Sequence, residues 1–149
     1  MSHRERLPHV TVATVVSAEG RFLLVKERSG SEIVYNQPAG HVEAGEAIMD
    51  AALRETLEET GWEVELTHYL GTYQYHSAGN GISYVRHCFI AAVVEQKSMQ
   101  PLDSDIESAV WLTREEVENL QDELRSPMVW RAIEDYLQGQ YFSLSLFKT

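Results

Sequence analysis

Cysteine is almost missing from this chain. Cys88 has no second cysteine to pair with, so an internal disulfide is excluded, and a reducing cytoplasm is the simplest home. Long apolar runs are missing as well. No stretch of 18 apolar residues and no N-terminal apolar run occurs, which argues against a membrane span or an export signal. Basic residues are few: 12 Lys and Arg stand against 23 Asp and Glu, a net charge of −11. That balance disfavours non-specific binding to nucleic acid or to an anionic membrane. A phosphate-bearing ligand stays compatible with it through a bridging metal ion. Repeats, low-complexity tracts and Pro- or Ser-rich linkers are absent too. A length of 149 residues, 44% of them hydrophobic, suits one well-buried core, so one domain over 1–149 is expected.

What is present concentrates between residues 40 and 62. Five glutamates and an arginine surround one short helix bounded by glycines. Glu55, Glu58 and Glu59 stand at i, i+3 and i+4, so they fall within an arc of about 100° on one helix face. Like charges so placed destabilise a helix by about 0.2–0.5 kcal/mol per i, i+4 pair. A hard cation relieves the repulsion, because Mg²⁺ and Mn²⁺ take carboxylate, carbonyl and water oxygens. Leu53 and Leu57 form an i, i+4 apolar pair expected to anchor the helix to a core.

The rest of the chain reads as an α/β fold. Pro8 to Val16 and Phe22 to Val25, with a Glu19-Gly20 turn between them, predict a hairpin. Glu27 to Gln37 is polar and reads as a loop, which Pro38-Ala39-Gly40 carries into the acidic segment. A helix over 47–60 should end at Gly61. Strands over 62–75 and 82–95 follow, split by the turn Ser77-Ala-Gly-Asn-Gly81. Thr113 and Glu116 have capping-box spacing for a helix to about Leu124. Ser126-Pro127 starts a last helix to about Gln138. The segment 140–149 alternates, and reads as a strand, a dimer contact or a partly ordered terminus. The order β-β-helix-β-β-helix-helix implies helices covering a mixed sheet.

Gly40, Glu46, Arg54, Glu55, Glu58, Glu59 and Gly61 stand in a spacing that resembles the box of the Nudix hydrolase family, here residues 40–62. At a background of about 0.07 per position, seven agreements by chance have a probability on the order of 10⁻⁸ at one window. Thr56 departs from the pattern, where the family usually has an aliphatic residue. The resemblance spans roughly residues 8–139 and implies an α/β/α sandwich with a mixed β-sheet. It implies that Glu55, Glu58 and Glu59 ligate Mg²⁺, or Mn²⁺, with the carbonyl of Ala39 as a further ligand, and that one glutamate serves as general base. Glu46 then pairs with Arg54 or holds a metal-bound water, and Arg54 orients. Asp105, six residues before Trp111, resembles a further acid of the family that serves as metal ligand or base; its competing reading is a capped surface loop.

Outside the box, His41 is a candidate for touching a phosphate, and Gln37 and Tyr35 for contacting a ring on the approach. Tyr73, Tyr75 and Arg86 are candidates on the later strands, against the competing reading of core residues. His9, His68, His76 and His87 show no ligand spacing and read as structural or surface residues. Five flanking stretches, among them Pro8-His-Val-Thr-Val-Ala13, Asn36-Gln-Pro-Ala-Gly-His41 and Leu124-Arg-Ser-Pro127, resemble a phosphatase branch of the family. That implies hydrolysis of nucleoside tri- and diphosphates with release of orthophosphate, and of thiamine-pathway pyrophosphates such as hydroxymethylpyrimidine diphosphate. A Nudix enzyme acting on ADP-sugars or dinucleoside polyphosphates would share the box. A non-catalytic binding module of this fold would usually have lost a box glutamate. A small-molecule nucleotide or pyrophosphate is thus the expected partner, with the protein a monomer or homodimer.

Overall fold

The computed structural model describes residues 7–149. Strand β1 (His9–Ala18) turns at Glu19 and Gly20, both with positive φ (51° and 76°), into β2 (Arg21–Ser29). Two left-handed residues suit a two-residue hairpin loop. The hairpin is brief: only Ser17 with Phe22 and Ala18 with Arg21 pair. Beyond them the strands part. β2 joins β3 (Glu32–Asn36) on one side and β7 (Ile106–Thr113) on the other, both antiparallel. β1 takes β4 (Ala39–His41) antiparallel, and β6 (Ser83–Gln96) in parallel over eight pairs. β5 (Trp62–His76) closes that side, antiparallel to β6. The result is a seven-stranded mixed arrangement.

Alternation along the strands builds two cores. In β1, Val12 and Val16 face one way while Ala13 and Val15 face the other; in β6, Phe89 and Ala91 alternate with Cys88 and Ile90. Helix α1 (Ile48–Thr60) covers the first face through Ala51 and Ala52. The second lies under α2 (Arg114–Glu118) and α3 (Pro127–Leu137) through Val117, Val129, Ala132 and Ile133. A sheet apolar on both faces needs helices on both, which makes the α/β/α sandwich.

Four local expectations change. Glu32–Asn36 is a strand rather than a loop; it is five residues long and its Ile33, Val34 and Tyr35 run consecutively, so no apolar alternation marks it. β7 was absent from the element order read from sequence. α2 keeps its capping box, with Thr113 and Glu116 bonded reciprocally, but stops at Glu118 before a 3₁₀ turn over Gln121–Glu123. The 140–149 segment forms a single bridge, Phe142 with Tyr69, and a 3₁₀ turn at Leu144–Leu146. It folds back on its own chain, and Leu144 and Phe147 pack against the α1-side core.

Candidate active site

Helix α1 lies against the sheet on small residues. Its buried positions are Ala51, Ala52, Thr56, Glu59 and Thr60, whereas Leu53 is exposed and Leu57 half-buried. The expected Leu53/Leu57 anchor is therefore corrected: alanines and threonines let helix and sheet approach, and leucines at those positions would not fit. Thr56 belongs to this interface. Its hydroxyl is 2.8 Å from that of Thr14 on β1 and donates to the Ala52 carbonyl at 2.8 Å, so the departure from the family pattern is matched across the interface.

The three glutamates consequently occupy three environments. Glu59 is only 6% exposed and accepts the Ala39 amide N–H at 2.8 Å. Burial pushes its pKa up to about 9, against the pull of that N–H. Glu55 is also raised, first by burial, with Arg54 opposing. Gly40 leaves room for it: a Cβ there would displace the Glu55 carboxylate from its present position. Glu58 reaches out to solvent, its side chain 42% exposed.

Arg54 ties this cluster together. Nε and Nη2 grip Glu46 at 2.7 and 3.0 Å, Nη1 donates to Glu55 at 2.8 Å and to Glu58 at 3.3 Å, and Nη2 also reaches the His41 carbonyl at 3.1 Å. The fork geometry is what only arginine supplies. With Arg54 and the Glu43 N–H both donating to it, Glu46 falls to a pKa of about 2. Of the two expected roles for Glu46, the geometry displays the pairing with Arg54.

The end of α1 recruits the next acids. Gly61 adopts a left-handed φ of 77°, and a Cβ there would strike the Ser98 carbonyl. Gly61 O accepts from Lys97 and Ser98, and Glu58 O accepts from Leu102 and Asp103, at 2.8–3.2 Å. Satisfying these helix-terminal carbonyls fastens the loop that carries Asp103 and Asp105. Asp103, not among the site residues expected from sequence, raises Glu55 and Glu59 through space; Asp105 is exposed and donates its N–H to Asp103 at 2.9 Å. The Asp-x-Asp spacing was the available signal for both.

A cleft of about 790 Å³ joins these groups, lined by Glu55, Glu59, Gly40, His41, Asp103 and Asp105, and also by Glu27, Tyr75, Tyr84, Arg86 and Arg125. His41 has its ring 3.0 Å from His9, and burial with that neighbour lowers its pKa. His9 does not line the cleft and keeps a structural place beside His41; the β1–β4 pairing that brings the two rings together is not visible in sequence. Arg86 lines the cleft and is 6% exposed. Gln37 and Tyr35 are not among the lining residues: Gln37 is buried between Val129 and Arg86, and Tyr35 meets the 124–125 segment. Tyr73 bonds Asp135 at 2.6 Å under α3.

The donor set is carboxylate and backbone oxygen, which suits a hard divalent cation. Raised pKa values at Glu55 and Glu59 are what clustered, buried acids show without one. Among the described residues no three acidic, histidine or cysteine side chains converge as ligands do; Arg54 holds Glu55 and Glu58, and Glu59 turns to Ala39.

Fold and site together define a Nudix-type hydrolase. A NUDIX domain model matches residues 6–131, and the chain belongs to that family, whose members generally use divalent metals such as Mg²⁺. Within it, the chain is 40% identical over 139 residues to the Phosphatase NudJ of Escherichia coli K12, covering 93% of this chain and 90% of that protein. A NUDIX hydrolase from Nitrosomonas europaea is 39% identical, with a TM-score of 0.92 over 96% of this chain and 97% of that one. An Ap4A hydrolase from Caenorhabditis elegans, 18% identical, shares the fold at a TM-score of 0.67 over 87% of this chain and 96% of that one. No helix among the described residues is long and apolar enough to cross a membrane.

Proposed function

We infer that this chain hydrolyses phosphoric anhydrides in nucleoside tri- and diphosphates with Mg²⁺, releasing orthophosphate, and that thiamine-pathway pyrophosphates such as hydroxymethylpyrimidine diphosphate are a second substrate group. The observation that carries the reading is a cleft lined by both signs of charge: the carboxylates of Glu55, Glu59 and Asp103, and the guanidinium groups of Arg86 and Arg125. Its volume of about 790 Å³ suits a nucleotide, and the likeness to Phosphatase NudJ supports orthophosphate as product. A cytoplasmic, small-molecule role fits both.

Glu55, Glu58 and Glu59, with the Ala39 carbonyl, would hold the divalent cation, which when bound neutralises charge on the phosphoryl oxygens. The chain's own groups do the positioning. Arg54 orients Glu55 and Glu58 and joins them to Glu46. The Ala39 N–H fixes the Glu59 carboxylate. Asp103 and Asp105 add negative charge at the cleft, where one of the acids can take a proton from the attacking water. Tyr75 and Tyr84, a cross-strand pair on β5 and β6, offer a wall for a base or thiamine-type ring.

Hydrolysis of GTP in ¹⁸O-labelled water tests this. The expected products are GDP and labelled orthophosphate, then GMP, without free pyrophosphate. Label on the α-phosphate of first-turnover GMP would leave the family in place and overturn the phosphatase reading.

A further inference from the structure

Arg86 is a buried cation whose surroundings position it without neutralising it. It stands on β6, 6% exposed, and lines the cleft. Nη1 donates to the Gln37 side-chain oxygen and Nη2 to that of Asn36, each at 3.3 Å, and Nε has no partner. It forms no ion pair with any described residue; the acids that act on it do so through space. Both amides are oriented from behind. Asn36 donates its NH₂ to Glu27 at 3.2 Å and Gln37 donates to the Val129 carbonyl at 2.8 Å, which turns the two oxygens toward the guanidinium. Glu27, an acid within reach of this network, is taken up by Asn36 and by Arg125 at 3.0 Å. A guanidinium has five donors, and two are committed here. A desolvated charge held only by neutral acceptors lacks its counter-charge.

We propose that Arg86, held by Asn36 and Gln37, binds the terminal phosphoryl group of the substrate and the orthophosphate it becomes. A nucleobase carbonyl would add a third neutral oxygen to the two already present, whereas a phosphoryl group supplies the missing negative charge and planar-fork acceptors. The location agrees, since Arg86 lines the same cleft as Glu55, Glu59 and Asp103, and the Glu59 carboxylate acts on it through space. The identity of the phosphoryl donor rests on the hydrolase reading above; binding of phosphate does not.

The test is a titration of metal-free, ¹⁵N-labelled wild-type protein with inorganic phosphate and, separately, with guanosine, following the Arg86 Nε–H resonance. That resonance is assigned through its own side chain, so no variant has to fold. Phosphate should move it and guanosine should not; no movement with phosphate, or movement with guanosine alone, overturns the subsite. Arg86→Lys then gives a kinetic arm. The KM for GTP and the inhibition constant for phosphate should each rise about tenfold, with kcat changing less, because a point charge replaces a fork. Phosphate inhibition equal to wild type overturns the proposal. Orthophosphate release by wild type is measured apart: if it occurs while Arg86 ignores phosphate, only the subsite fails, and if it does not occur, the functional reading fails while the titration still reports on the subsite.

Discussion

Glu59 meets two conflicting demands: it supports the helix–sheet interface, where charge is costly, and it belongs to the acidic site, where charge is needed. Its folded pKa of about 9 lies above the ordinary value of 4.5, so the metal-free folded protein binds a proton there that the unfolded chain releases. This contribution to stability is fully present below pH 4.5 and is lost as pH rises through 9. Glu46 behaves oppositely: its folded pKa of about 2 supports the fold above pH 4.5 and fails as pH falls toward 2. Glu59→Gln keeps an oxygen for the Ala39 N–H and removes the titration. In EDTA, wild type should lose stability to urea between pH 5 and pH 9 more steeply than the variant, while Mg²⁺-dependent turnover of the variant falls on the order of 100-fold or more. Parallel stability profiles, or full turnover, would sink this account. The residue types of the acidic cluster were legible in sequence; their environments were not, since spacing cannot tell which of three glutamates a sheet will bury.

Helix α1 shows where pattern reading stops. Periodicity located its ends, because Gly61 signals a left-handed cap whatever lies around it. It points to the wrong packing face, because leucine is more apolar than alanine or threonine, and only the close approach of the sheet favours the small residues Ala51, Ala52 and Thr56. β3 and β7 are hard to see for a related reason: the apolar residues of β3 run consecutively without alternation, and β7 pairs with β2 across the whole of residues 30–105. The Thr14–Thr56 pair is the interface's own solution to burying a hydroxyl on the helix. Thr56→Val leaves the Thr14 hydroxyl buried without its acceptor and should cost about 1–3 kcal/mol. The double change Thr14→Val with Thr56→Val removes both hydroxyls and should cost less than the sum of the single changes. Urea unfolding of the four proteins measures the cycle; strictly additive costs would show that the two hydroxyls do not depend on each other.

For the whole molecule, the segment from Tyr141 to Thr149 joins the two cores across the outer edge of β5. Tyr141 stacks on Tyr136 of α3 with centroids 5.7 Å apart, on the side of the second core. Phe142 and Tyr69 exchange backbone hydrogen bonds of 2.8 Å in both directions, which pairs part of an otherwise open strand edge. Phe147 then packs on Tyr69, Phe89 and His87 at 4.7, 5.1 and 5.6 Å on the α1 side. None of these residues lines the cleft, so the clamp stands apart from the candidate site. Alternation in the sequence marked the segment without showing that its partner lies some 70 residues earlier in the chain. Removing residues 141–149 uncovers Tyr69 and Phe89 and frees the β5 edge. Stability in urea should fall by about 3 kcal/mol, the scale of losing one well-packed phenylalanine, and light scattering should reveal concentration-dependent association through the exposed strand. Turnover at low temperature and low concentration should stay near wild type, because the glutamates and Arg54 keep their supports. A truncated protein that is monomeric and equally stable would show that the clamp contributes nothing to the fold, and one that is stable yet inactive would place the segment in the chemistry after all.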